Sequence, residues 1–377
     1  MAEAIAFPRL ARVPHQGMPP LDLSGPAVSF FEFWPQHLFY APMILYWLWL
    51  TIKHGGRFAL PTAANPSFPM GGWVGESKQA VLACAGKHAR AHIAPFVAFT
   101  RDAKIAIDDA ARTAIYQARR AGLSFPLVAK PDMGCRGAGV RRVRNENELA
   151  RYIASFPDGE TILLQALVDY EAEAGVFYVR KPGQTHGEIF SLTLKYFPYV
   201  YGDGTSTLGE LIARDRRAGL LKDIYLPRHA GSLAKVLAPG EPYRIAFAGS
   251  HSRGTVFRNG NRLVTEPMRR AFDCIAKDID GFHFGRFDVR FSSIDELQEG
   301  RSFTILECNG AGAEATHIWD RKTTLREAYR VLMRQYAQLW DIGAENVRRG
   351  ARPARLRDLF RAWRKEVALW AKYPLAE

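Results

Sequence analysis

The chain has 377 residues, 47% hydrophobic and 24% charged, which allows two or three domains with a sizeable core and excludes a wholly disordered protein. Lys and Arg number 51 against 38 Asp and Glu, a net charge of +13, which suits a polyanion: nucleotide phosphates, nucleic acid or an anionic membrane surface. Four cysteines (Cys84, Cys135, Cys274, Cys308) form no CxxC pair, so we read them as free thiols in a reducing compartment.

Residues 1–27 are Pro-rich and aperiodic and contain no apolar core, which predicts a loosely ordered leader and no secretory signal. Val28–Gly56 is dense in Trp, Tyr and Leu, and Leu38 to Ile52 is fifteen residues without a charge. That is short of the roughly 20 residues a spanning helix needs, and Pro35 and Pro42 would start or interrupt a helix. Three readings stay open here: a span, a helix buried against the body, and a helix lying in a membrane interface. Lys53, His54 and Arg57 beside the aromatics suit the last. Leu60–Lys78, rich in Pro and Gly, reads as a long structured loop.

Residues 77–91 read as a helix, HIAPFVAF as a strand, and 105–122 as an amphipathic helix stopped at Gly122. PLVAK, ETILLQALV, GVFYVR, EIFSLTLKYF and RIAFAG are strand candidates. NENELARYIASF is a helix capped by Asn145 with Glu148 three residues on. EPMRRAFDCIAKDI follows as a helix, then FGRFDVRF and FTILECN as strands, and the tail is helical over about 323–347 and 353–371. Strands and helices mixed in this way predict an α+β or α/β chain.

In FPLVAKPDMGCRGAGV, Phe125 to Val140, a strand ends at Lys130 and Gly134, Gly137 and Gly139 follow. Backbone N–H groups with an adjacent ammonium suit a phosphate. The order is neither Walker A nor the dinucleotide fingerprint, and a plain hairpin turn is the alternative. Further on, Asp288 and Glu307 sit on two candidate strands, with Asn309 two residues past Glu307 and so on the same face. Two carboxylates and an amide oxygen make a hard-oxygen set suited to Mg²⁺ bridging phosphates; ordinary polar positions on half-exposed strands are the alternative.

Together these residues resemble the ATP-grasp superfamily, in particular D-alanine–D-alanine ligases and the ATP-grasp half of cyanophycin synthetases, over roughly residues 76–340. The resemblance implies an α+β fold whose two lobes sandwich ATP, with lobes at 76–170 and 171–340. An N-terminal segment (1–75, bearing the aromatic helix) precedes them and a basic amphipathic tail (341–377) follows. It implies ATP contacts from Lys78, Lys130, the three glycines, Gln165 where the family usually has Glu, Ala166 and Val168 at the hinge, and Glu173 or Glu171 at the ribose. It also implies Mg²⁺ (or Mn²⁺) on Asp288, Glu307 and Asn309, and catalytic roles for Arg286 and Lys195. GDGTSTLGELI resembles a loop of the cyanophycin and glutathione synthetase branches, which places His251, Arg253 and Gly254 near an acyl-phosphate or, alternatively, in a surface hairpin.

Two departures bear on the substrate. Relatives carry a βαβ-type domain where this chain has residues 1–75, and a Pro-Gly turn where it reads ECNGAGAEATHIWD. The expected reaction is ADP-forming ligation of a carboxylate to an amine, or to another nucleophile, through an acyl-phosphate. A kinase acting on a small molecule, or a non-catalytic nucleotide-binding membrane protein, is the alternative.

In the tail, Leu356, Leu359, Phe360, Trp363, Val367 and Trp370 fall at helical spacing among Arg355, Arg357, Arg361, Arg364, Lys365 and Lys372. Either this stripe lies on a membrane surface or it docks on the protein, with residues 38–52 as one partner. With the aromatic segment it raises the expectation of a cytoplasmic enzyme at the inner membrane face, acting on an amphiphilic substrate. Nucleic acid is disfavoured because no reader motif accompanies the charge, and oligomeric state stays open.

Overall fold

The computed structural model describes residues 13–134, 137–251 and 254–376. Helix α1 spans Gln36–Lys53, and the short helices α2 (Lys78–Ala83) and α3 (Lys87–Ala91) follow a loop. A first lobe then runs through β1 (Phe96–Thr100), α4 (Ile107–Arg120), β2 (Leu127–Pro131), β3 (Arg141–Val143), α5 (Glu146–Ala154) and β4 (Thr161–Ala166). Its sheet is antiparallel in the order β1-β4-β2-β3. Ala110, Ala114, Ile115 and Ala118 of α4 and Leu149 and Ile153 of α5 cover one face of it.

The second lobe begins with β5 (Ala172–Val179), β6 (Glu188–Tyr196) and β7 (Tyr199–Tyr201), then α6 (Leu208–Arg214), α7 (Lys222–Arg228), β8 (Pro242–Arg244) and β9 (Val256–Asn259). It continues with α8 (Glu266–Lys277), β10 (Phe284–Phe291), α9 (Ile294–Gln298) and β11 (Phe303–Asn309), and closes with α10 (Leu325–Arg348); α11 (Leu356–Trp370) follows as the tail helix. Strands β11-β10-β5-β6-β9 form one sheet, and β7 and β8 pair separately. This is an α+β architecture of two antiparallel lobes.

Period-two alternation decides what each face of the larger sheet carries. Phe287, Val289 and Phe291 of β10 turn to the side where α8 packs Met268, Phe272 and Ile275. On the opposite side Phe177, Val179 and Phe284 meet Leu332, Leu339 and Trp340 of α10. That second face is apolar only at one end, because Arg286, Asp288 and Arg290 continue it along β10. Helix α10 earns its place through buried Ala328, Leu332, Gln335, Leu339, Ile342 and Asn346, a spacing of three and four that lines one helix face. Its two buried amides fix loops: Gln335 bonds Ala313 and Ala315, and Asn346 donates to the carbonyls of Ala63 and Ala64.

Four expectations change. Residues 77–91 are two helices, because the Asp278 carboxylate accepts from Ala89 N–H at 2.8 Å and its carbonyl from Gly86 N–H at 2.7 Å, starting α3 afresh. In RIAFAG only Arg244 belongs to a strand; its guanidinium takes the carbonyls of Ala246 and Phe247, which bends the chain away from a ladder. Of the expected loose leader, residues 1–12 lie outside the described residues, and 13–27 are docked: His15 lies 2.9 Å from the Phe197 carbonyl, Tyr196 donates to the Pro19 carbonyl at 3.0 Å, and Arg217 donates to that of Ala27 at 3.1 Å. The span reading of the aromatic segment falls, since among the described residues no helix is long and apolar enough to cross a membrane; Phe39, Met43 and Leu50 pack α1 against the body.

Leu339 is fully buried between α10 and the sheet. Leu339→Ala is expected to cost about 2–5 kcal/mol through lost transfer energy and the cavity it leaves; urea unfolding checks this.

Candidate active site

The charged end of the second-lobe sheet is set by register. On β10, Arg286, Asp288 and Arg290 share one face; Asp288 stands opposite Glu307 and Arg286 opposite Asn309 on β11. On the other side Asp288 stands opposite Gly175 and Arg290 opposite Glu173, which in turn faces Lys195 of β6. Gly175 leaves room for these side chains: a Cβ would come within 3.0 Å of Arg286 Cδ and 3.3 Å of Asp288 Oδ1, so both would have to shift slightly.

These groups neutralise one another. Lys195 Nζ lies 2.9 Å from Asp288 Oδ1 and 3.2 Å from Glu173 Oε1. Arg286 donates to both Asp288 oxygens at 2.8 and 3.1 Å, and Arg290 Nε lies 3.4 Å from Glu173 Oε2. Burial works against the Asp288 carboxylate, but Arg286 and Lys195 outweigh it and hold its pKa down at about 2. Asn309 Nδ2 comes within 3.5 Å of Asp288 Oδ2, and half a turn of that amide would present its oxygen to the same point.

Two lysines reach this carboxylate end from outside the sheet. Lys78, in the first turn of α2, donates to the Gly134 carbonyl at 2.6 Å and lies 3.4 Å from Glu307 Oε1. Ser77 caps that helix through Ala80 N–H. Lys130, the last residue but one of β2, donates to Gln165 Oε1 at 2.8 Å and to the Leu306 carbonyl at 3.0 Å. Its burial depresses the ammonium pKa to about 8, with Glu307 and Asp288 pulling the other way. The structure therefore brings Lys78, Lys130, Gln165, Lys195, Arg286, Asp288, Glu307 and Asn309 into one connected cluster at the junction of the lobes.

Gly134, Gly137 and Gly139 lie in the loop after β2. Gly139 has φ +68°, and a Cβ there would sit 2.8 Å from Pro131 Cγ; its carbonyl accepts from Tyr152. Ala166 ends β4, and the Val168 carbonyl accepts from Arg290 at 2.7 Å. Glu171 is held apart from the cluster by Tyr199 (2.6 Å) and Arg244 (3.0 Å), whereas Glu173 belongs to it. His251 stacks on Trp319 with ring centroids 4.6 Å apart, and the Gly254 carbonyl accepts from Arg217. Arg253 and Cys135 lie outside the described residues.

Sequence reasoning passed over several neighbours. Arg290 was open to it, being two residues from Asp288 on a period-two strand. Glu76 gave no signal, since nothing local shows that Gly310 N–H donates to it at 2.8 Å; burial raises its pKa to about 8, with Glu307 adding repulsion. Glu314 accepts from Tyr40 of α1 at 2.6 Å and from Trp319 at 3.0 Å, while its carbonyl accepts from Arg286. Among the described residues no three His, Cys, Asp or Glu side chains form a metal-holding group, so a cation here must draw on Asn309 and on a ligand's own oxygens.

Because the folded Asp288 pKa lies below its ordinary value, the stability it contributes is present above about pH 4 and lost as pH falls towards about 2. The contribution is on the order of 2 kcal/mol. Urea unfolding between pH 7 and 3 should show the wild type losing more stability than Asp288→Asn.

No protein-family model matches the chain, and no curated protein matches it by sequence. Among solved structures it is similar to a bifunctional glutathione synthetase from Pasteurella multocida, at 15% identity over 69% of this chain and 35% of that one, with a TM-score of 0.34. It is also similar to the D-cycloserine synthetase DcsG, at 15% identity over 68% and 69% with a TM-score of 0.33. A third is the VanG D-Ala:D-Ser ligase from Enterococcus faecalis, at 12% identity over 71% and 62% with a TM-score of 0.36. The chain thus spans about a third of the length of the first of these. The similarity concerns the fold alone, and at these TM-scores it carries no argument about activity.

Proposed function

We propose that the chain is an ATP-grasp ligase that joins a carboxylate to an amine and releases ADP. One observation carries this reading. Lys78 and Lys130 converge on the Leu306–Glu307 end of β11, at 3.4 and 3.0 Å, beside Asp288 and Asn309. Two ammonium groups facing carboxylates across a lobe junction, next to a glycine-bearing loop, suit a polyphosphate and a divalent cation together.

The donor set fits Mg²⁺ (or Mn²⁺). Asp288, Glu307 and Asn309 offer hard oxygens without completing a shell, which is how Mg²⁺ sits when phosphates supply the rest. A cation held by these three residues would supply positive charge to offset that of a polyphosphate. Lys78 and Lys130 would bind the polyphosphate from the first-lobe side. Ala166 and Val168 lie at the hinge where the base would rest, with Glu173 near the ribose.

In this reading a carboxylate oxygen of the substrate attacks the γ-phosphorus as the bond to ADP breaks, giving an acyl-phosphate. The amine nitrogen then attacks the acyl carbon and phosphate leaves. Arg286, kept charged by Asp288 despite its burial, and Lys195 would stabilise the charge that passes between these groups. No side-chain nucleophile is required, and closure of the glycine loop would keep water from the acyl-phosphate. Small-molecule carboxylates and amines are the proposed substrates.

ADP release from Mg²⁺-ATP is expected only when a carboxylate and an amine are both present. Lys130→Ala and Glu307→Gln should each lower it by at least about a hundredfold, as for loss of a group that stabilises transferring charge. ADP formed with a hydroxyl compound alone would replace the ligase with a kinase. Lys130 also sets a pH dependence: its ammonium form is lost as pH rises through about 8, so ATP affinity in the wild type should fall from pH 7 to 9. In Lys130→Met it should be weak and nearly flat over that range by equilibrium titration.

A further inference from the structure

Helix α11 shows two different faces. Leu359 and Leu369 are buried, Glu366 accepts from Gly75 N–H at 2.8 Å, and beyond the helix Tyr373 donates to the Met133 carbonyl and stacks on Phe156. The adjoining stripe is left outside. Leu356, Phe360, Trp363, Val367 and Trp370, at spacings of three and four, are 39–61% exposed. The tail therefore does dock, through Leu359, Leu369 and Glu366, and of the apolar stripe marked by its periodicity only Leu359 turns inward.

Beside that stripe Arg357, Arg361, Arg364 and Lys365 line an open concavity with Phe360. Nearby acids offset them only in part: Asp358 pairs with Arg357 and Arg361 at 3.7 and 3.6 Å and Glu160 with Lys365 at 3.0 Å, while Glu366 is turned inward to Gly75, so the four cations keep a positive surplus. A second copy of the chain is a poor occupant, because a two-fold pairing would set these arginines against their equivalents. A nucleic acid would leave Trp363, Val367 and Trp370 in water.

We propose that α11 is a surface anchor for an anionic lipid bilayer, with its tryptophan-bearing stripe in the interface and Arg357, Arg361 and Arg364 against lipid phosphates. A cationic face beside Trp and Leu at helical spacing is the chemistry of a helix lying in the interface plane. A second observation points the same way. Helix α1 presents Ile44, Leu45, Leu48, Trp49 and Ile52 outward, opposite its buried Phe39, Met43 and Leu50. It ends at Lys53, whose ammonium lies 5.2 Å from the Trp49 ring centroid. A helix apolar on both sides, yet covered on one, fits an apolar medium.

The test is co-sedimentation of the full chain with vesicles of phosphatidylglycerol and phosphatidylcholine, against phosphatidylcholine alone. It needs no nucleotide, so its result is independent of the ligase reading. The wild type is expected to pellet with the anionic vesicles, much less with neutral ones, and to be released by high salt. The triple reversal Arg357→Glu, Arg361→Glu, Arg364→Glu should weaken partitioning by about a hundredfold or more, each basic residue near the surface contributing roughly fivefold. Phe360→Ser with Trp363→Ser should also weaken it while leaving the circular dichroism and melting profile unchanged. Trp363→Ser should reduce the quenching by brominated lipid that the wild type shows, with Trp49 and Trp370 supplying the remainder. Absence of binding to anionic vesicles, or binding unchanged in the α11 variants, would overturn the proposal. So would a concentration-dependent dimer that the stripe variants dissolve.

Discussion

Lys195 between Glu173 and Asp288 is the interaction on which the second lobe depends. Charges on a central strand face would ordinarily prevent that face from being buried, because removing an ion from water costs several kcal/mol unless it is paired and hydrogen-bonded. Here Lys195 is 3% exposed and touches both carboxylates, while Arg286 and Arg290 take their remaining oxygens. The sheet can therefore be closed on both sides and still hold a polar end. The same arrangement leaves Asp288 ionised and aimed at the lobe junction, so the groups that permit folding are also those available to a charged ligand.

The segment before the first lobe serves that polar end. Phe31 and Phe39 pack on Trp319, and Tyr40 holds Glu314, so the aromatic residues of α1 shape the loop that follows Asn309. Asn65, fully buried, bonds the Gly71 and Phe284 carbonyls and the N–H groups of His283 and Phe284. One amide thereby ties the Pro/Gly-rich loop to the start of β10, with all its hydrogen-bonding capacity used.

What the sequence could reveal follows from which contacts are local. Alternation in FTILECN located Glu307 and Asn309 on one face, and Asn145 before Glu148 located the start of α5; both depend only on neighbours a few residues away. The break at Cys84–Gly86 depends on Asp278, the docking of residues 13–27 on Phe197 and Arg217, and the bend after Arg244 on a guanidinium folding back onto its own chain. None of these leaves a local pattern. Tyr40 was hidden for a different reason: among so many packed aromatics, the hydroxyl that reaches Glu314 looks like the rest.

Helix α11 crosses from one lobe to the other. Lys365 pairs with Glu160, and Tyr373 holds Met133 in the first lobe, whereas Glu366 holds Gly75 and Ala354 donates to Thr62 on the loop fixed to the second. Such a brace makes the cleft one-sided. The two lobes are thus tied together along the α11 edge by contacts that the opposite edge does not share with this helix.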